Sequence, residues 1–328
     1  MLANPTGSGS SSLVGKPLRR VEDDRLLRGQ GRYLADLDVP GALAAVFVRS
    51  PHAHAKLGRV DADAARAMPG VVAVFTPDEV APRTAPICVA GEAHTPERLL
   101  RELKPLDRVH PTPIFPSAKV TYVGQPVAMV VAESKRAAQD AAEAISVEYE
   151  PLPAVVDVAA ALAPEAPRVE DSWPDNLALR VATDKGDPDK AFAEAAVVVE
   201  DEFVTHRYVA APMEPRGILA TVDPVTNALT VWASTQTPHI LQMILATSLK
   251  QSTESIRVIA CDVGGGFGQK GIQAVEDVLV PYAARELGRP VKWVEERGEN
   301  LTAAAHARDQ VHRIAMAGMR ALRPLAYR

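Results

Sequence analysis

Three short segments concentrate the residue types that could hold or activate a ligand. The first is Val263-Gly264-Gly265-Gly266-Phe267-Gly268-Gln269-Lys270. Four glycines within five positions let a backbone approach a ligand closely and turn successive N–H groups toward it. Placement between a strand and a helix makes those amides welcoming to an anionic group. The spacing is neither the dinucleotide G-x-G-x-x-G nor a Walker loop, whose glycine spacing before Lys270 and Ser or Thr after it are both missing. From spacing alone, a glycine-rich structural turn accounts for the segment equally well.

The second segment is Ser234-Thr235-Gln236-Thr237-Pro238-His239, at a strand-to-helix junction. Gln236 there can donate its carboxamide to an oxo or phosphate oxygen, whereas Thr235 or Thr237 acting only as a helix cap is the plainer reading. The third is His206-Arg207-Tyr208-Val209-Ala210-Ala211-Pro212-Met213-Glu214-Pro215-Arg216-Gly217, in which two prolines hold an acid and a base in a fixed path. A structural Glu214–Arg216 pairing, or a surface one, is what the sequence favours for it.

The elements that must position these segments read as mixed helix and strand. Strands are expected at Leu43–Val48, Val71–Phe75, Ala128–Ala132 and Ile145–Tyr149, with helices at Asp61–Met68 and Lys135–Ala144 between them. A long Pro-containing insertion at 81–117 favours α+β over a regular parallel sheet. Prolines 151, 153, 164 and 167 mark a crossing segment, after which Asp187-Pro188 opens a short helix. Strands follow at Ala196–Val204, Gly217–Asp223 and Ala228–Ser234, the last two joined by a turn at Val225-Thr226-Asn227. A helix begins at Pro238 with its apolar stripe over Ile240–Leu249, and strand Ile256–Cys261 leads into the glycine loop. Helix Ile272–Leu287 and strand Val291–Glu295 complete the pattern.

Composition removes several classes. A net charge of -5, scarce aromatics and no basic patch argue against nucleic acid as partner. Cys88 and Cys261 cannot supply the four thiolates of an iron–sulfur cluster or a Cys-rich zinc site. A disulfide between them has no support, and free thiols suit a reducing cytoplasm. His52 and His54 share a strand face on an alternating pattern, without a third ligand at metal spacing, so they read as structural. Residues 1–15 look like a disordered leader rich in Gly and Ser. Arg19-Arg20 is followed by Val21-Glu22-Asp23-Asp24, not by the apolar stretch a twin-arginine signal needs. No run approaches a membrane span, and the chain reads as cytoplasmic.

The order HRY-x-AAPMEPRG, W-x-STQTPH, DVGGGFGQK resembles the cofactor-binding domain of molybdenum hydroxylase large subunits, the xanthine dehydrogenase, aldehyde oxidase and aerobic carbon monoxide dehydrogenase family. Val14-Gly15-Lys16-Pro17, Arg20-Val21-Glu22-Asp23 and Gly29-Gln30-Gly31-Arg32-Tyr33 are similar to its opening. Phe47-Val48-Arg49-Ser50-Pro51-His52-Ala53-His54-Ala55 and Tyr122-Val123-Gly124-Gln125-Pro126-Val127-Ala128 are similar to its hammerhead domain. The resemblance implies an α+β chain with an a/b hammerhead domain at 16–160, a linker at 161–185 and the first part of a molybdopterin-binding domain at 186–314.

It also implies a molybdenum-pyranopterin cofactor, in bacteria commonly the cytosine dinucleotide, which oxidises a carbon centre of a small-molecule substrate with oxygen from water. Electrons would leave through an iron–sulfur small subunit carrying [2Fe-2S] and a medium subunit binding FAD. By the family pattern Gln236 bonds an oxo group on molybdenum. The amides of Gly266, Phe267 and Gly268 flank the metal or its dithiolene, with Gly265 in the same cradle and Phe267 near the substrate channel, unless its ring instead packs the loop against the core. Glu214 and Arg216 shape the pocket floor. The metal takes its sulfurs from the pterin, so no protein ligand is expected.

The family's large subunits are more than twice as long, and no residue in 1–328 can be assigned as their general-base glutamate. The strand pattern is expected to stop after Ile314, and 315–328 reads as an aberrant tail from a frameshift, a premature stop or a split subunit. A truncated chain of this kind is expected to be inactive alone. The alternative function is a non-catalytic remnant or assembly partner retaining part of the cofactor cradle.

Overall fold

The computed structural model describes residues 13–87, 106–107, 111–180, 185–319 and 324–327. Most of the expected leader, Cys88 and much of the 81–117 insertion lie outside the described residues. Residues up to Arg32 form one unit and Tyr33 onward another. In the first, helix Asp23–Leu27 is flanked by exposed Arg20–Asp23 and Arg28–Asp24 pairs.

The second unit is built on a seven-stranded mixed sheet. Its spatial order is Ile256–Ala260, Leu229–Ala233, Gly217–Val222, Val291–Val294, Leu43–Arg49, Pro126–Ala132, Val71–Phe75. Strands from the expected hammerhead and cofactor-binding regions therefore share one sheet. The seam is a short parallel pairing, Leu43 opposite Val291 and Ala44 opposite Lys292. All seven residues of Pro126–Ala132 are buried, as a strand covered on both faces requires. Its alternate residues divide between two cores. Ala128, Val130 and Ala132 pack with Ala138 and Ala141 of helix Lys135–Glu143, and Met129 and Val131 face the side of helix Glu276–Leu287. Full burial of Val130, Val131 or Met129 contributes about 1.5–3 kcal/mol each, and of each alanine about 0.8 kcal/mol.

Local signals set the element ends. Ser134 caps its helix by accepting from the Ala137 amide at 3.2 Å, and Asp187 does the same for helix Pro188–Ala193 through Lys190 at 3.0 Å. Asp223 accepts from the Val225 and Thr226 amides, and Asn227 takes φ +58°, making the expected turn between Gly217–Val222 and Leu229–Ala233. Two expectations shift. His52 and His54 lie in the loop before strand Ala55–Asp61, so they share no strand face. His52 packs on Tyr149, and His54 Nδ1 lies 2.7 Å from the Pro153 carbonyl. The strand expected to falter after Ile314 instead runs from Gln310 to Gly318, in unbroken antiparallel register with Val197–Thr205. Pro324–Tyr327 pairs on its other edge. Small side chains at 315, 317 and 318 weaken the alternation visible in sequence without preventing an extended backbone.

Among the described residues, no helix is long and apolar enough to cross a membrane.

Candidate cofactor cradle

The glycine loop emerges from strand Ile256–Ala260, and Gln236 lies just beyond the parallel neighbour Leu229–Ala233. Parallel pairing brings the two strand ends, and hence the two loops, to the same edge of the sheet. The contact is direct. The Gly268 amide donates to Gln236 Oε1 at 3.0 Å, and the Gln236 amide donates to the Lys270 carbonyl at 3.0 Å. A Cβ added to Gly266 would sit 2.5 Å from Gln236 Oε1, so only glycine lets the carboxamide lie against the loop.

This leaves several donors of the two loops without a protein partner among the described residues. With Oε1 engaged, the exposed Gln236 carboxamide offers Nε2, which has no partner among the described residues. The amides of Gly265, Gly266 and Phe267 also lack protein partners there. Gly268, by contrast, gives its N–H to Gln236. Phe267 adopts φ +52°, a left-handed conformation unusual for an aromatic residue, and its ring is 74% exposed. The ring therefore does not pack the loop against the core. The buried Gln269 Nε2 has no partner among the described residues.

Glu214 holds the loop from beneath. Its Oε2 accepts from Ser234 Oγ at 2.7 Å, the Gly264 amide at 2.8 Å and Lys270 Nζ at 2.8 Å. The Lys270 side chain is fully buried, and burial lowers its pKa although Glu214 opposes this. Glu214 and Arg216, expected as a pair, do not pair. On an extended path, residues two apart diverge once each finds a partner. Arg216 turns to Glu295, with Nε to Oε1 at 2.9 Å and its own amide to Oε2 at 2.9 Å, and also reaches Glu276 at 3.2 Å. Glu276 is shared with Arg49 at 2.8 Å, and Arg49 reaches Glu299 at 2.9 Å. Arg49 and Arg216 both lie over the Trp293 ring. Burial alone would raise the Glu276 carboxyl, but the two guanidiniums outweigh it and hold it down at about 2. Arg49 comes from the N-terminal side of the seam and Glu276, Glu295 and Glu299 from the other, so this chain of charges ties the two regions together.

Asn300, fully buried, extends the network to the loop by donating to Glu295 at 2.7 Å and to Gln269 Oε1 at 2.8 Å. Sequence reading missed Lys270, Glu276, Glu295 and Asn300. Lys270 stands within a singled-out motif, but nothing in the spacing pairs it with Glu214 from 56 residues away. Nor do the threonines cap the helix after Gln236 through its N-cap. Thr235 Oγ1 bonds the Lys270 carbonyl and Thr237 Oγ1 the Gly271 carbonyl, further stitching the two loops together. A separate groove of about 380 Å³ along edge strand Val71–Phe75, with Arg66, Arg83 and Tyr282, contains none of these residues.

Residues 28–153 match the aldehyde oxidase and xanthine dehydrogenase a/b hammerhead domain, and residues 169–328 match the molybdopterin cofactor-binding domain. The chain is 40% identical over 299 residues to the nicotine 6-hydroxylase large subunit of Paenarthrobacter nicotinovorans, which covers 91% of the chain and 35% of that protein. It is 35% identical to the carbon monoxide dehydrogenase large chain of Afipia carboxidovorans, covering 90% and 36%. The crystal structure of quinoline 2-oxidoreductase from Pseudomonas putida 86 superposes with a TM-score of 0.82 at 37% identity, over 92% of this chain and 37% of that one. The chain thus spans about a third of the length of the curated relatives it matches. With the hammerhead and cofactor-binding folds joined in one sheet, and the glycine loop set against Gln236, the chain belongs to the family of molybdopterin-binding large subunits of the xanthine dehydrogenase, aldehyde oxidase and carbon monoxide dehydrogenase type.

Proposed function

We propose that this chain binds a molybdenum-pyranopterin cofactor, in its cytosine dinucleotide form, at the glycine loop and Gln236. When bound, that group supplies oxidation of a carbon centre with oxygen taken from water. The observation that carries the reading is the set of unpartnered donors, Gln236 Nε2 and the amides of Gly265, Gly266 and Phe267, on two loops bonded to each other. Such a donor set suits an oxygen-rich anionic group, and fixing it before binding is preorganised electrostatic stabilisation. Gln236 orients its amide outward because Gly268 occupies its oxygen. The Phe267 ring, exposed beside these amides, would border the substrate path and limit water there.

The family's chemistry is oxidation or hydroxylation of a small molecule. Partner subunits carrying FAD and [2Fe-2S] would complete the electron path, since Cys88 and Cys261 cannot ligate a cluster. A cytoplasmic setting fits the same cysteine usage. Among the described residues, no carboxylate around the loop is assigned as a general base: Glu214 is committed to Lys270, Ser234 and Gly264. These 328 residues alone are therefore expected to give little or no turnover. The test is to purify the chain from a host that makes the cofactor, then measure molybdenum, pterin and dye reduction. Bound pterin and metal without turnover supports the proposal. Absence of both pterin and metal contradicts the binding, and stoichiometric metal with turnover contradicts the predicted inactivity.

A further inference from the structure

Glu214 joins three segments far apart in sequence. Its backbone amide donates to the Gly264 carbonyl at 3.1 Å, and its Oε2 accepts from Gly264, Ser234 and Lys270. Ser234 lies two residues before Gln236, and Gly264 and Lys270 bracket the unpartnered amides of Gly265, Gly266 and Phe267. The approach is close enough that a Cβ on Gly264 would lie 2.5 Å from Glu214 Cβ. Lys270 Nζ is enclosed and Glu214 is its one ion-pair partner within the described residues, so the pair cannot drift apart without stranding a buried charge.

From this we infer that Glu214, paired with Lys270, is a positioning residue: it sets the loop from Gly264 to Lys270 against Gln236 and so fixes the spacing of the unpartnered donors. Glu214 itself reaches none of those donors and acts through the loop. The inference deepens the proposed function and rests on it for the identity of the ligand, but the geometric part stands on the protein alone.

The discriminating amides are those of Gly268 and Gln236, which bond to Gln236 Oε1 and the Lys270 carbonyl and make no contact with Glu214. Hydrogen exchange read at single residues in the full chain separates the cases. In Glu214→Ala and Lys270→Met, exchange at Gly268 and Gln236 is expected to rise about tenfold, while Val130 in the fully buried strand Pro126–Ala132 keeps its wild-type rate. Glu214→Gln, which keeps an acceptor but not the charge, is expected to fall between. Acceleration confined to Gly264, or equal acceleration at Val130, would overturn the inference. So would loss of folding in both variants, because the pair would then be a global stability element. Molybdenum content is measured in parallel. Altered exchange in a protein that never carries molybdenum retains the positioning role and removes the cofactor reading, whereas unaltered exchange with metal retained does the reverse.

Discussion

Arg216→Met keeps an apolar stem of similar length under Trp293 but removes the guanidinium that Glu295 and Glu276 share. Those carboxylate side chains are 0% and 3% exposed. Glu276 retains Arg49 at 2.8 Å, whereas Glu295 is left with the residue 216 amide and Asn300. Removing one partner from a buried ion pair costs about 3–5 kcal/mol, because the remaining charge is stranded in a poorly solvating interior. The cost should depend on pH with a definite sign. Burial opposes ionisation of Glu276, but Arg216 and Arg49 hold its folded-state value at about 2, below the unfolded one. A carboxyl depressed in this way stabilises the fold above its unfolded pKa of about 4.3, and that contribution fades as the pH falls toward the folded value. Loss of Arg216 raises the folded value, so acidification costs the variant less than the wild type. Urea unfolding of both proteins should therefore show the largest gap near pH 7, narrowing below about pH 5. A gap under about 1 kcal/mol at pH 7, or one independent of pH, would refute the reasoning, since it is what a solvated surface pair gives.

Other perturbations probe the loop, its exposed ring and the seam separately. Gly266→Ala places a methyl 2.5 Å from Gln236 Oε1, so the exposed carboxamide must swing away; amide exchange should report loss of the Gly268 bond, while urea unfolding shifts by less than about 1 kcal/mol. Phe267→Gly should leave stability within about 1 kcal/mol, because the ring is exposed and glycine accepts φ +52° without strain; a larger loss by calorimetry would mean the ring packs. Arg49→Met takes the nearer guanidinium from Glu276, which keeps Arg216 at 3.2 Å, and unpairs the partly exposed Glu299, with an expected cost of about 1.5–3 kcal/mol and faster exchange in Leu43–Arg49 than in Leu229–Ala233.

The elements are legible in the sequence wherever periodicity and caps agree. Val71–Phe75 matches its expected bounds to the residue, Ser134 and Asp187 stand at the helix starts their side chains signal, and the glycine loop leaves the strand expected to lead into it. These signals are local. The parallel seam between Leu43 and Val291 is not, because nothing near either residue encodes a partner 248 positions away. The buried charges are hidden for a related reason. Arg49, Glu276 and Glu295 look like ordinary surface residues in sequence, and only the fold removes them from water. Glu214 and Arg216 show the limit most clearly: proximity in sequence suggests a pair, yet each carries a separate network. Gln236 and the loop are recognisable from the family motif, but the bond that aims the carboxamide outward is not.

Whether Gln236 and the glycine loop jointly hold a molybdenum cofactor is tested most directly by the molybdenum-to-protein ratio of Gln236→Ala against wild type, purified side by side from a cofactor-producing host. Because Gln236 is exposed, the two proteins should unfold at matched temperatures. Molybdenum is expected in the wild type, with a loss of affinity of roughly 10–100-fold in the variant. Equal metal in both, or none in the wild type, would contradict the shared cradle.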